Sequence, residues 1–97
     1  MSRHTVNFTA ETTRNFVPNS RRGPEYNSTI QNLTSQTITI TVTNQDIQGS
    51  SPTFDTPAAG ALAITAGSIG VLNEPYAGWL ITAGASTTGT VEISEAG

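Results

Sequence analysis

His4 is the only histidine of the 97-residue chain, and there is no cysteine. A catalytic site needs a nucleophile with a base, paired carboxylates or a metal, so these two facts remove most of the options. His4 stands so near the N-terminus that the sequence places it on a mobile end, away from any catalytic partner. A single histidine and no thiol cannot furnish a zinc cluster, and no disulfide framework is available. Glu92 and Glu95 are close in sequence, but they fall at a terminal strand edge and read as solubilising charges. Asp46 and Asp55 flank a loop that lacks the dense oxygen-ligand spacing of a dedicated calcium loop. No nucleophile elbow, phosphate loop or dinucleotide fingerprint is present. The expectation is a protein that is not an enzyme and uses no cofactor.

Binding chemistry has more to work with. Trp79, Tyr76 and Tyr26 could form an aromatic platform for the apolar face of a sugar, although "YAGWLI" has the alternation of a core strand. Three Asn-x-Ser/Thr patterns start at Asn7, Asn27 and Asn32, as expected by chance in so threonine-rich a chain. The charges are scarce and unevenly placed. Arg3, Arg14, Arg21 and Arg22 are the only cations, and with Glu11 they give the first 24 residues a net charge of +3. The six remaining acids give the rest of the chain −6. Such a division predicts an arm and a body with different neighbours. Nucleic acid is not the expected partner, because the body is acidic and has no basic stripe with interleaved aromatics.

The elements that must position these residues read as strands throughout. In "TITITVTN", residues 37–44, Ile38, Ile40 and Val42 share one face and the threonines the other, because side chains alternate across a strand. The apolar row predicts a core face; the threonine row suits a solvated outer face, being β-branched with a hydroxyl that water can satisfy. An ice-binding array would need that row repeated on several strands, and only one strand has it. Strands are predicted at 26–33, 36–44, 60–65, 68–73, 76–83 and 89–95, separated by glycine, proline and asparagine, with a short strand around 5–10. The 76–83 strand is apolar on both faces, with Trp79 and Ile81 opposed by Tyr76 and Leu80, and Leu72 likewise opposes Ile69 and Val71. A two-sided strand is central and covered, or meets another subunit. Tyr76, Leu80 and Leu72 are therefore the candidate subunit interface.

Residues 12–24, TTRNFVPNSRRGP, hold two prolines and three arginines and read as extended chain. Phe16 and Val17 in this stretch, and Phe8 before it, are the apolar exceptions, either anchors for a neighbouring molecule or part of the domain's own core. The division expected is a basic N-terminal arm over 1–24 and a β-sandwich body over 25–97, an all-β antiparallel sandwich or jelly roll. A partner would be gripped by Arg3, Arg14, Phe16, Arg21 and Arg22, arginine being suited to holding carboxylates with two bonds. The opening residues lack an apolar signal core, and no stretch approaches the ~20 apolar residues that span a bilayer. The expected setting is therefore the cytoplasm, without membrane contact.

"ALAITAGSIGVLNEPYAGWLITAGASTTGTVEISEAG", residues 61–97, resembles the C-terminal half of small β-sandwich virion proteins of tailed bacteriophages. There a strand ends in a threonine-alanine-glycine turn, an aromatic strand follows, and a glycine-threonine hairpin returns as a valine-and-glutamate strand. The resemblance implies a capsid cement or decoration protein, often a homotrimer, assembled in the host cytoplasm onto a major capsid protein or another virion protein. The alternative reading is a carbohydrate- or peptide-binding β module, such as part of a phage fibre or adhesin.

Overall fold

A computed structural model describes residues 2–18, 26–47 and 52–96. Eight strands follow in chain order: β1 (Ser2–Thr9), β2 (Thr13–Phe16), β3 (Asn27–Thr34), β4 (Ile38–Thr43), β5 (Leu62–Ile64), β6 (Ile69–Leu72), β7 (Gly78–Thr82) and β8 (Thr88–Ala96). They form two antiparallel four-stranded sheets, β1-β8-β3-β6 and β2-β7-β4-β5. Each strand pairs with the one equally far from the other end of the chain: β1 with β8, β2 with β7, β3 with β6, β4 with β5. The chain is thus one long hairpin, rolled until β8 meets β3 and β7 meets β4. That rolled hairpin is the eight-stranded jelly roll.

The alternation seen in the sequence becomes the two layers of the core. Val6 and Phe8 on β1, Ile30 on β3, Leu72 on β6, and Val91 and Ile93 on β8 face inward from the first sheet. Phe16, Ile38, Ile40, Val42, Ile64, Trp79 and Ile81 face them from the second, all buried. Phe16 packs on Trp79 with ring centroids 4.8 Å apart, and the edge of His4 meets Phe16 at 5.0 Å. The threonine row of β4 does face outward, but its last member, Thr43, is buried and accepts a hydrogen bond from the Gln45 amide at 3.0 Å. Two glycines make turns possible. Gly67 has φ +84° in the β5–β6 turn, and Gly89 has φ +115° where the chain passes so near Leu33 that a Cβ would lie 2.5 Å from its carbonyl oxygen.

The N-terminal segment differs from the extended arm expected for residues 1–24. Described residues 2–9 and 13–16 are edge strands of the two sheets, and Phe8 and Phe16 supply part of the core. The physical reason lies in those two rings: in a domain this small, leaving them outside would forfeit about 1.5–3 kcal/mol each of burial free energy. The Cα radius of gyration, 12.4 Å, is that of a single compact domain of about this length rather than of a body with a trailing arm. Arg21 and Arg22 lie outside the described residues.

Candidate interaction surface

The outer face of β1-β8-β3-β6 is built by register. One row runs Arg3, Ser94, Thr29, Val71; the next runs Thr5, Glu92, Gln31, Ile69. Leu33 stands beyond Gln31 on β3, opposite Thr90. Polar and β-branched side chains thus pave the β1–β8 half, while the β3–β6 half carries Ile69, Val71 and Leu33, exposed by 63%, 53% and 49%. Arg3, Thr29, Gln31, Ile69, Glu92 and Ser94 border a shallow depression of about 150 Å³ on this face. Thr5 Oγ1 donates to Glu92 Oε1 at 2.8 Å, which holds the carboxylate against the sheet. An apolar stripe beside a single cation and a single anion can exclude water from a contact while the charges orient it.

A second concavity, about 420 Å³, opens at the end of the sandwich where β4 leaves and β7 begins. Asn44, Gln45, Thr53, Asp55 and Tyr76 line it together with Val42 and Thr43. Asp55 pairs with Val42 through two backbone hydrogen bonds of 2.8 Å, extending the sheet by one bridge. Tyr76 is half-buried; its hydroxyl donates to Glu74 and accepts the Ala58 amide at 3.0 Å. Burial pushes that hydroxyl above its ordinary pKa, and the Glu74 carboxylate adds to the effect.

A buried polar cluster joins β1, β8 and Tyr26, the residue just before β3, from inside. Glu95 is fully buried, its Oε1 lies 2.7 Å from His4 Nε2, and its Oε2 accepts the Tyr26 hydroxyl at 2.9 Å. Burial, and then this bond to Glu95, raise the Tyr26 hydroxyl above its ordinary pKa. The expectation that Glu95 is a solubilising charge on an edge is thereby corrected. β8 is a central strand, and Glu95 lies on the same row as Val91 and Ile93, which is the inward row. His4 is correspondingly a member of β1 and not a mobile end. The cluster fastens β1 to β8 and to the start of β3.

The other residues singled out from sequence are dispersed. Arg14 sits on edge strand β2 and pairs with Glu11 at 3.2 Å, while the Thr9 amide holds the Glu11 carboxyl below its ordinary pKa. Leu80 is half-buried on the outer face of β7, where the neighbouring Gly78 is roofed by Ile47. The second face of β7 is thus covered in part by the chain's own loop. Leu72 is buried in the core and is no part of an interface; Ile69 and Val71 are the exposed side of that strand. The aromatic platform does not form either. Trp79 and Tyr26 are buried, which leaves Tyr76 alone at the groove.

From sequence Asn32 read as a glycosylation pattern and as a breaker between strands, but it lies within β3. It is buried, donating to the carbonyls of Gln36 and Ile64 at 2.8 Å each and accepting the Thr34 amide at 2.9 Å and hydroxyl at 2.6 Å. The bond to Ile64 crosses from one sheet to the other, and no bond is left for a glycan. Among the described residues no group of His, Asp and Glu is placed to hold a metal ion, and no helix is long and apolar enough to cross a membrane. Comparison with family models, with curated proteins and with solved structures gave no match.

Proposed function

We propose that this chain is a structural protein of a bacteriophage virion, a capsid cement or decoration protein that self-associates and attaches to the head surface to stabilise it. The observation that carries the reading is the division of apolar residues. The core consumes Trp79, Tyr26, Phe8 and Phe16, while aliphatic Leu33, Ile69 and Val71 are left together on one outer face. Apolar side chains gathered on a regular sheet face suit contact with another protein surface. The jelly roll supports the reading by analogy, since capsid proteins are among its users. Partners are other copies of the chain and the major capsid protein or another head protein. Arg3, beside the apolar stripe, is the cation best placed to meet an acidic capsid patch. Many modest contacts, repeated over an oligomer, give avidity without one tight site.

The test is cosedimentation of the purified chain with empty phage heads assembled from a major capsid protein, the proposed partner. Saturable binding that raises the temperature of head disruption is expected, weakened by Arg3→Ala and by Ile69→Ser. Heads that sediment free of the chain at saturating concentration overturn the reading. One observation favours a second reading, a carbohydrate- or peptide-binding module. The groove beside Tyr76 presents Asn44, Gln45 and Asp55, polar groups of the kind that orient a sugar. Glycan binding abolished by Tyr76→Ala would establish it instead.

A further inference from the structure

The β6 edge of the first sheet, which no described strand pairs with, deepens the self-association part of this reading, on which it rests. The Asn32 amide donates to the Ser68 carbonyl at 3.0 Å across the β3–β6 ladder. Antiparallel alternation then directs the backbone groups of Ser28 and Ile30 toward β6, answered by Leu72 and Gly70. It follows that the N–H and C=O of Ile69 and Val71 point away from the sheet, along its open edge. These are the two residues of β6 whose side chains are also exposed and apolar.

Natural sheets guard such edges with charge, proline or very short strands. The other three edges of this sandwich are guarded in these ways. β1 carries Arg3, β2 carries Arg14, and β5 is three residues long. Neither β6 (IGVL) nor its neighbour β3 (NSTIQNLT) holds a charged residue.

We propose that the β6 edge is the site at which a second copy of this chain pairs, antiparallel about a two-fold axis through Gly70. The edge is complementary to itself. In this register Ile69 faces Val71 of the second copy and Val71 faces its Ile69, so the two donors and two acceptors of each edge are answered by the other. The four side chains form one apolar cluster on the continuous outer face, a cross-strand arrangement that stabilises sheets. Gly70 faces Gly70, leaving the axis free of side chains. The next acid, Glu74, falls opposite the small Ala66, so a chain of net charge −3 brings no two carboxylates into register. An isologous pair of this kind closes on itself, and it replaces the homotrimer expected from sequence with a dimer.

Sedimentation velocity and amide hydrogen exchange on the full chain test the proposal, with Trp79 emission reporting that each variant is folded. A concentration-dependent dimer is expected. The Ile69 and Val71 amides should slow about fivefold when the total chain concentration reaches ten times the dissociation constant, while the inward Gly70 amide is protected throughout. Val71→Pro removes only an outward donor and should abolish the dimer, as should Val71→Lys, which adds charge to the edge. If Val71→Pro fails to fold, Val71→Lys and the exchange rates decide. A monomer at high concentration, a trimer, a dimer that survives Val71→Pro in folded form, or Ile69 and Val71 amides indifferent to concentration would each overturn the proposal. Head binding is a separate readout: a dimer that ignores heads refutes the virion reading alone, and a monomer that binds heads refutes this pairing alone.

Discussion

Tyr26→Phe removes one oxygen from a side chain that is otherwise buried and well packed, so it removes the hydrogen bond to Glu95 together with the hydroxyl's contact with Ser28. Phenylalanine occupies nearly the same volume, and no cavity term enters. What is lost is a 2.9 Å bond to a buried carboxylate that His4 also contacts. Hydrogen bonds to charged groups contribute about 1.5–3 kcal/mol. A domain of this size has about 5–15 kcal/mol in total, and each kcal/mol moves the midpoint about 4–8 °C, so a fall of about 6–24 °C is expected at neutral pH. The alkaline limb gives an independent check. Burial and the Glu95 bond raise the Tyr26 hydroxyl, so the native state keeps a proton that the unfolded chain gives up above about pH 10. Stability of the wild type therefore falls as pH rises past about 10. The variant escapes this part of the loss, and the two stability curves converge. Tyr76 titrates in both proteins and cancels in the difference. Urea denaturation followed by emission of Trp79, the single tryptophan, measures both effects. A neutral-pH difference under about 0.5 kcal/mol, within the usual scatter of surface substitutions, or a gap that stays constant from neutral to strongly alkaline pH, would refute the reasoning.

Asn32→Ala should cost about 2–5 kcal/mol in the same assay, because it leaves the Ile64 carbonyl and the Thr34 amide without their side-chain partner; a cost under about 1 kcal/mol would mean that water replaces it. Gly89→Ala adds a Cβ 2.5 Å from the Leu33 carbonyl oxygen at φ +115°, whereas Gly67→Ala meets open space at φ +84°. The first should lose about 2–4 kcal/mol and the second about 1–2, and equal losses would place the whole cost in the dihedral. Arg14→Ala breaks only an exposed, solvent-screened pair with Glu11 and should leave the urea midpoint unchanged within the scatter of repeat measurements; a clear shift would mean that Arg14 does more than pair with Glu11.

Strand positions after residue 25 were legible because alternation is a local signal: Ile38, Ile40 and Val42 declare a buried row whatever the topology. The rolled-hairpin order was not, since it depends on which strands meet across the whole length of the chain, and no local pattern encodes that. The N-terminal segment misled for a compositional reason. Its two prolines and three of its four arginines fall at 14–24 and suggested an arm, although the alternation of Val6 and Phe8 against Thr5, Asn7 and Thr9 did give a short strand around 5–10, which is part of β1. Leu72 and Ile69 illustrate a different gap. A two-sided strand was recognised, but sequence does not say which side is inward, and Leu72 was placed outside although Ile69 and Val71 are. Glu95 was readable in principle, as the third member of the row begun by Val91 and Ile93. Its partners His4 and Tyr26 were not, being brought to it by pairings that span 91 and 69 residues.

The same placements weigh on the two proposed readings, a head-binding structural protein and a carbohydrate- or peptide-binding module. A sugar site needs an aromatic ring with a free face at the surface, and this chain spends its tryptophan and one of its two tyrosines inside the sandwich. Tyr76 remains, but its hydroxyl is held by Glu74 and the Ala58 amide, so it is fixed as part of a loop support. An assembly protein needs instead a regular surface whose apolar part is uncharged and whose neighbouring edges do not compete. Uncharged β3 and β6 meet the first condition, and Arg3, Arg14 and the brevity of β5 meet the second. The distribution of only eleven charged residues is thus informative about function. Where charge is this sparse, an uncharged stripe ending at an open β-edge is the part of the surface where a solvated face is hardest to explain and a protein contact easiest.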